Sequence, residues 1–121
     1  MKCLKIVFLV FIELTISFSI GCKKDDSGKY NITYTFTGDA SATVYYFNSS
    51  DDEVSESVTP PWSYKFSTSD ENHYVKLSAF SLGSGSATVT ISLNGVVKKS
   101  GSDGGSYGFN ATTGTYQIKD L

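Results

Sequence analysis

Few side chains in this 121-residue sequence could do chemistry. His73 is the single histidine, so the sequence excludes a cluster of imidazole ligands and leaves one candidate base for a Ser-His-Asp arrangement. No Gly-x-Ser-x-Gly nucleophile elbow accompanies the many serines. We therefore predict that the protein is not an enzyme, and we expect His73 to lie on the surface at the start of a strand.

Two acidic runs and one glycine-rich segment could hold an ion. Asp51-Asp52-Glu53 and Asp70-Glu71 offer the hard oxygen ligands that Ca²⁺ prefers, but they lack the spaced Asp-x-Asp pattern with glycine of a calcium loop. The segment from Gly101 to Gly108 does not join a strand to a helix, as a phosphate-binding loop would. We expect solvated turns at the acidic runs, with no metal and no cofactor.

Aromatic residues are the remaining indication of a binding surface. The chain has eight tyrosines, eight phenylalanines and one tryptophan. A tyrosine ring offers a flat face and a polar tip, which suits a sugar ring or an apolar ligand. The candidate platform consists of Tyr45, Tyr46, Tyr64, Tyr74 and Tyr107. The alternative is that strands favour tyrosine in any case and that Trp62 belongs to the core.

Composition limits the class of partner. The net charge is −2, and all ten basic residues are lysines. Recognition of nucleic acid depends on positive potential and on bidentate arginine, so we expect no nucleic-acid partner. Cys3 and Cys22 are the only cysteines, and both precede the predicted domain. The domain must therefore be stabilised by packing without a disulfide.

Alternation of apolar and polar residues from Tyr30 onward predicts strands, and no helical periodicity follows. Pro60 and Pro61 belong at a strand end or edge, before Trp62. Asn94-Gly95 predicts a two-residue type I′ hairpin, and we expect the Gly/Ser-rich segment 100–106 to be mobile. The pattern predicts an all-β fold, a small Ig-like antiparallel β-sandwich of about seven strands over residues 30–121. Segments with a strand-like pattern lie near residues 30–37, 42–46, 54–58, 62–66, 73–82, 87–93, 96–99, 107–110 and 115–118.

The amino-terminal segment has the pattern of a signal peptide. Lys2 and Lys5 precede an apolar run of 15 residues, Ile6 to Ile20. As a helix this run would be about 22 Å long, short of the roughly 30 Å that a bilayer core requires. The run therefore reads as a signal-peptide h-region.

The four residues Ser19-Ile20-Gly21-Cys22 resemble the lipobox of bacterial lipoproteins. The resemblance implies removal of residues 1–21, a diacylglyceryl group on the Cys22 sulfur and an acyl chain on its amino group. Such chains hold a protein to a membrane stably. The alternative is an ordinary secretory peptide followed by an accidental cysteine.

Residues 22–29 are predicted to be a lipidated cysteine followed by a flexible polar tether. Within them, Lys23-Lys24-Asp25-Asp26 resembles the export signal of Bacteroidetes-type surface lipoproteins. That resemblance implies an outer-membrane, lipid-anchored protein exposed at the surface, with the periplasmic face as the alternative.

Four segments in order resemble the soluble domain of the mycobacterial MmpS family. They are YTFTGDASATVYYFN, VTPPWSYKF, LSAF and ATVTISLNGVVKKS followed by GGSYGF, and they cover most of residues 34–109. Pro61, Trp62, Asn94 and Gly95 stand at the matching Pro-Trp-Ser and Asn-Gly motifs. The resemblance implies an Ig-like sandwich outside the inner membrane and a role beside transporters that export lipids and siderophores. Members of that family carry an amino-terminal transmembrane helix, whereas this chain has Cys22, so the fold carries over more directly than the role.

The sequence thus predicts a non-enzymatic, lipid-anchored lipoprotein of the cell envelope. In the first reading it is an accessory or binding module that presents an MmpS-like sandwich to an envelope protein or transporter. The alternative is a surface lipoprotein that binds a glycan or a small ligand.

Overall fold

The computed structural model describes residues 29–121, and these residues form a β-sandwich. Two four-stranded antiparallel sheets carry the fold, and the chain closes with a short 3-10 helix at Ile118–Asp120. The predicted all-β antiparallel sandwich is confirmed. The predicted signal peptide, Cys22 and the tether up to residue 28 lie outside the described residues.

Sheet 1 has the strand order β4-β1-β7-β8, and sheet 2 has the order β3-β2-β6-β9. A further antiparallel pair, β5 with β10, lies apart from both sheets. The strands are β1 (Tyr30–Gly38), β2 (Ala42–Phe47), β3 (Glu53–Val58), β4 (Trp62–Thr68), β5 (Tyr74–Val75), β6 (Leu77–Ser81), β7 (Gly85–Leu93), β8 (Val96–Gly105), β9 (Phe109–Thr112) and β10 (Tyr116–Gln117).

The core lies between the two sheets and follows from the period-two pattern. Alternate residues of β1 and β7 point inward from sheet 1, and alternate residues of β2 and β6 meet them from sheet 2. The side chains with almost no exposed surface are Ile32, Tyr34, Phe36, Val44, Val75, Leu77, Ala79, Val89, Ile91 and Ala111. Burial of these apolar surfaces drives the two sheets together.

The corner between the two sheets is made by the proline pair. Pro60 and Pro61 lie between β3 and β4, where no ladder hydrogen bond is lost, as predicted. Trp62 begins β4 opposite Phe36, and its ring lies 5.3 Å from the Tyr46 ring across the sandwich. Trp62 thus packs against the core at the edge of sheet 1.

The hairpin between β7 and β8 has the predicted geometry. Asn94 has φ 52° and Gly95 has φ 85°, so both central residues adopt the positive φ of a type I′ turn. The turn is also fixed to β1, because the Asn94 N–H donates to the Asn31 carbonyl oxygen at 2.8 Å. The Asn31 N–H in turn donates to the Asn94 side-chain oxygen at 2.9 Å.

The expectation of a mobile loop at residues 100–106 was wrong. Residues 100–105 continue β8 and pair with β7 as far as Gly105 opposite Gly85. The glycines serve close packing here, because a Cβ at Gly101 would overlap the carbonyl oxygen of Thr112 in β9. Asp103 adds a side-chain bond, accepting the Asn110 N–H at 2.8 Å. The β8 edge of sheet 1 is thereby held against the β9 edge of sheet 2.

Candidate functional site

The outer face of sheet 2 carries two exposed aromatic rings close together. Tyr45 of β2 is 36% exposed, and Phe80 of β6 is 39% exposed. Tyr45 pairs with Ser78, two residues from Phe80, so the two rings are diagonal neighbours on one face. Both line a shallow depression of about 310 Å³, which Lys76, Ser78 and Asn110 complete.

Uncharged polar groups surround the two rings. The strand register places Thr43, Ser55 and Ser78 beside them, with Asn110 of β9 opposite Phe80. The Ser78 hydroxyl donates to the Thr112 hydroxyl at 2.8 Å. This part of the face can therefore stack against a flat apolar surface while donating and accepting hydrogen bonds at its rim.

An ion pair lies at one end of this face. Lys76 forms an ion pair with Glu53, and its ammonium lies 5.4 Å from the centre of the Phe47 ring. Phe47 continues the row of outward side chains beyond Tyr45, and the exposed Tyr74 packs against it with ring centres 5.9 Å apart. The aromatic surface therefore extends toward this end as well, where the Lys76–Glu53 ion pair and the Asp51 carboxylate lie.

The structure separates the five predicted tyrosines. Tyr45 and Tyr74 are exposed at the outer face of sheet 2, whereas Tyr107 is almost fully exposed in the turn between β8 and β9. Tyr46 is buried, and Tyr64 is partly buried against the core. Sequence reasoning missed Phe80, although the alternation through Leu77 and Ala79 already places it outward.

Tyr34, Tyr46 and Tyr64 form an aromatic cluster between the sheets. Their ring centres lie 4.8 to 6.1 Å apart. The Tyr34 hydroxyl donates to the Phe47 carbonyl oxygen at 2.7 Å, and the Tyr46 hydroxyl donates to Glu56 Oε2 at 2.5 Å. Burial raises the pKa of Tyr34, and burial together with the hydrogen bond to the Glu56 carboxylate raises the pKa of Tyr46.

These two tyrosines should make the fold sensitive to alkali. Because their pKa values in the folded state exceed the unfolded value of about 10, their stabilising contribution is complete below that pH and is lost as the pH rises above it. Each group should lower the free energy of unfolding by about 1.4 kcal/mol per pH unit in that range. Urea unfolding at a series of pH values measures the slope. Tyr34→Phe should reduce the slope of the unfolding free energy against pH. Tyr107→Phe, at an exposed ring, should leave the slope unchanged. Equal slopes in the wild-type protein and both variants would contradict the assignment.

His73 lies inside the fold, so the expectation of a surface histidine was wrong. Only 4% of its surface is exposed, and its ring packs against Phe66 with centres 4.9 Å apart. Nδ1 lies 2.7 Å from the Tyr74 carbonyl oxygen, which assigns the proton to that nitrogen. The Ile118 N–H bonds to the His73 carbonyl oxygen at 3.0 Å, so the end of the chain covers this residue. Nε2 is buried and has no hydrogen-bond partner among residues 29–121.

Asp51 and Asp52 of the acidic run lie in the turn after β2, as predicted, whereas Glu53 is the first residue of β3. Asp51 has φ 63°, and its carboxylate accepts the Tyr74 N–H at 3.1 Å. Asn48 closes the turn by accepting the Ser50 N–H at 2.9 Å. Within residues 29–121, no three His, Cys, Asp or Glu side chains come close enough together to hold a metal ion.

Searches of protein-family models and of curated proteins returned no match for this chain. The resemblance to the MmpS family accordingly stays a prediction. In the part of the chain that the structure describes, no helix has the length and apolar character needed to cross a membrane.

Proposed function

We propose that this protein is a non-enzymatic, lipid-anchored binding module of the cell envelope, and that it recognises its ligand on the outer face of sheet 2. The observation that carries the proposal is the exposure of Tyr45 and Phe80 together in one depression, which Lys76, Ser78 and Asn110 complete. Lipidation at Cys22 attaches the module to the outer membrane. The Lys23-Lys24-Asp25-Asp26 sequence favours the cell surface over the periplasmic face.

The chemistry of this face favours a glycan as the ligand. A sugar ring presents an apolar C–H face to an aromatic side chain and hydroxyls to the surrounding serines, threonines and Asn110. The depression of about 310 Å³ is at the small end of the range for small-ligand sites, about 300 to 1,000 Å³. A stable protein–protein interface buries roughly 800 Å² on each partner, far more than these two rings expose.

Replacing either ring of the site should weaken glycan binding. Tyr45→Ala and Phe80→Ala are each expected to reduce affinity about five- to tenfold, because each removes one stacking surface. A glycan array identifies the ligand, and titration of the variants measures the loss. Tyr107→Ala is the matched control, since this exposed tyrosine lies in the turn between β8 and β9 and does not line the depression. The absence of any glycan ligand, or binding indifferent to both changes, would refute the glycan assignment.

A protein partner is the second candidate, and the free edge of sheet 2 favours it. Among the described strands β3 has a neighbour on one side only, so its other side can accept an added strand. An accessory role of the kind that the MmpS resemblance implies would use such an edge. Mild crosslinking in cells followed by purification tests this candidate; repeated recovery of the protein alone would count against it.

A further inference from the structure

Two neighbouring valines are exposed at the tip of the β7–β8 hairpin. Val96 is 57% exposed and Val97 is 59% exposed. Val96 pairs with Leu93 and Val97 pairs with Ser92, so one valine lies on each face of the hairpin. The end of this hairpin therefore presents apolar surface on both sides.

The tip lies where the chain enters the fold. The two hydrogen bonds between Asn94 and Asn31 join it to the second residue of β1. Tyr30, the first residue of β1, is eight residues beyond Cys22 in the sequence. Eight residues span at most about 29 Å. A lipid on Cys22 would therefore keep Tyr30 and the adjoining hairpin tip within about 29 Å of the membrane, close enough for the tip to reach it.

We propose that this hairpin tip is a second membrane contact, in which Val96 and Val97 enter the headgroup region of the bilayer beside the lipid on Cys22. The contact rests on the proposed lipid anchor. A surface of two valines is too small to bind a membrane strongly by itself. The anchor makes the contact intramolecular, so a high effective concentration keeps a weak interaction populated.

The interaction depends on apolar burial more than on charge. Lys98 is exposed beside the valines, and Lys29 is exposed just before β1. Asp70 and Glu71 offset these lysines, because they follow β4 at the end that pairs with Tyr30. Zwitterionic vesicles should therefore suffice to support the contact.

The contact would orient the binding face. β7 spans nine residues, about 27 Å, from the opposite end of the sandwich to the tip. With the tip in the headgroups, the strands stand on the membrane and the outer face of sheet 2 points sideways, accessible to a ligand. A lipid tether alone would let the sandwich tumble.

A fluorophore at the tip tests the proposal in the full lipidated chain. If Cys22 is acylated, the mature chain has no other thiol, so a cysteine introduced by Val97→Cys can be labelled specifically with an environment-sensitive dye. In phosphatidylcholine vesicles its emission should shift to shorter wavelength and be quenched by spin-labelled lipids. Leu82→Cys, at another exposed apolar residue, labels the opposite end and should show neither effect. Adding Val96→Ser to Val97→Cys should reduce the shift.

The outcomes separate the tip contact from the anchor. If the labelled protein floats with the vesicles but the two positions behave alike, the tip contact is wrong and the anchor stands. If the protein does not float with the vesicles, the anchor is wrong and the tip contact is refuted with it.

Discussion

The substitution Gly101→Ala should lower the free energy of unfolding of the sandwich by about 3 kcal/mol or more. A Cβ at this position would overlap the backbone oxygen of Thr112, and a second backbone atom of the same residue is also too close. Neither contact involves a side chain that could turn away, so β8 and β9 would have to separate. Because a domain of this size is stable by about 5 to 15 kcal/mol, this loss is a substantial fraction of the total stability.

Gly83→Ala is the matched control for this prediction. A Cβ there would meet only the Ser81 hydroxyl oxygen, at an ordinary distance of 3.7 Å. Urea unfolding of both variants measures the difference. Similar stabilities for the two alanine variants would show that β8 does not approach β9 as described.

The substitution Cys22→Ser should move the protein from the membrane fraction to the soluble fraction. The sulfur carries the proposed diacylglyceryl group, and each buried CH₂ contributes about 0.8 kcal/mol to membrane attachment. Without the thiol, the diacylglyceryl group has no sulfur to which it can be attached. The expected loss of attachment is therefore nearly complete, because the hairpin valines do not suffice alone.

Cys3→Ser is the control, since Cys3 is the only other cysteine and lies in the segment proposed to be removed. Cell fractionation and mass spectrometry of the amino-terminal peptide measure the outcome. A Cys22→Ser protein that stays in the membrane fraction, or a wild-type protein that begins at Met1, would refute the lipid anchor.

Local rules predicted most of the fold. Alternation fixed which residues of β1 and β7 are buried, and the positive-φ preference of Asn94-Gly95 fixed the hairpin. The same rules failed at residues 100–105, where glycine indicated flexibility. Those glycines instead allow a backbone approach between strands of different sheets, which no local pattern reports. His73 was misplaced for a similar reason, since the chain that covers it comes from Ile118, 45 residues later.

The candidate site was only partly predictable. Tyr45 and Tyr46 are neighbours in sequence, but the alternation of β2 points one outward and the other into the core. The predicted platform joined both, because it considered residue type without strand phase. The alternation of β6 could place Phe80 on the outer face. Its position beside Tyr45, however, depends on the pairing of β2 with β6, and three other strands separate these two in the chain. Strand order is a property of the whole sandwich, so the site could not be assembled from sequence alone.

Oxidative footprinting by hydroxyl radicals tests most directly whether the outer face of sheet 2 is a recognition surface. Mass spectrometry compares the oxidation of Tyr45 and Phe80 in intact cells with that in the purified protein, using the exposed Tyr107 as the internal reference. We predict that both residues are protected in cells relative to Tyr107, because a ligand covers them there. Equal oxidation ratios in cells and in the purified protein would contradict the proposed recognition surface.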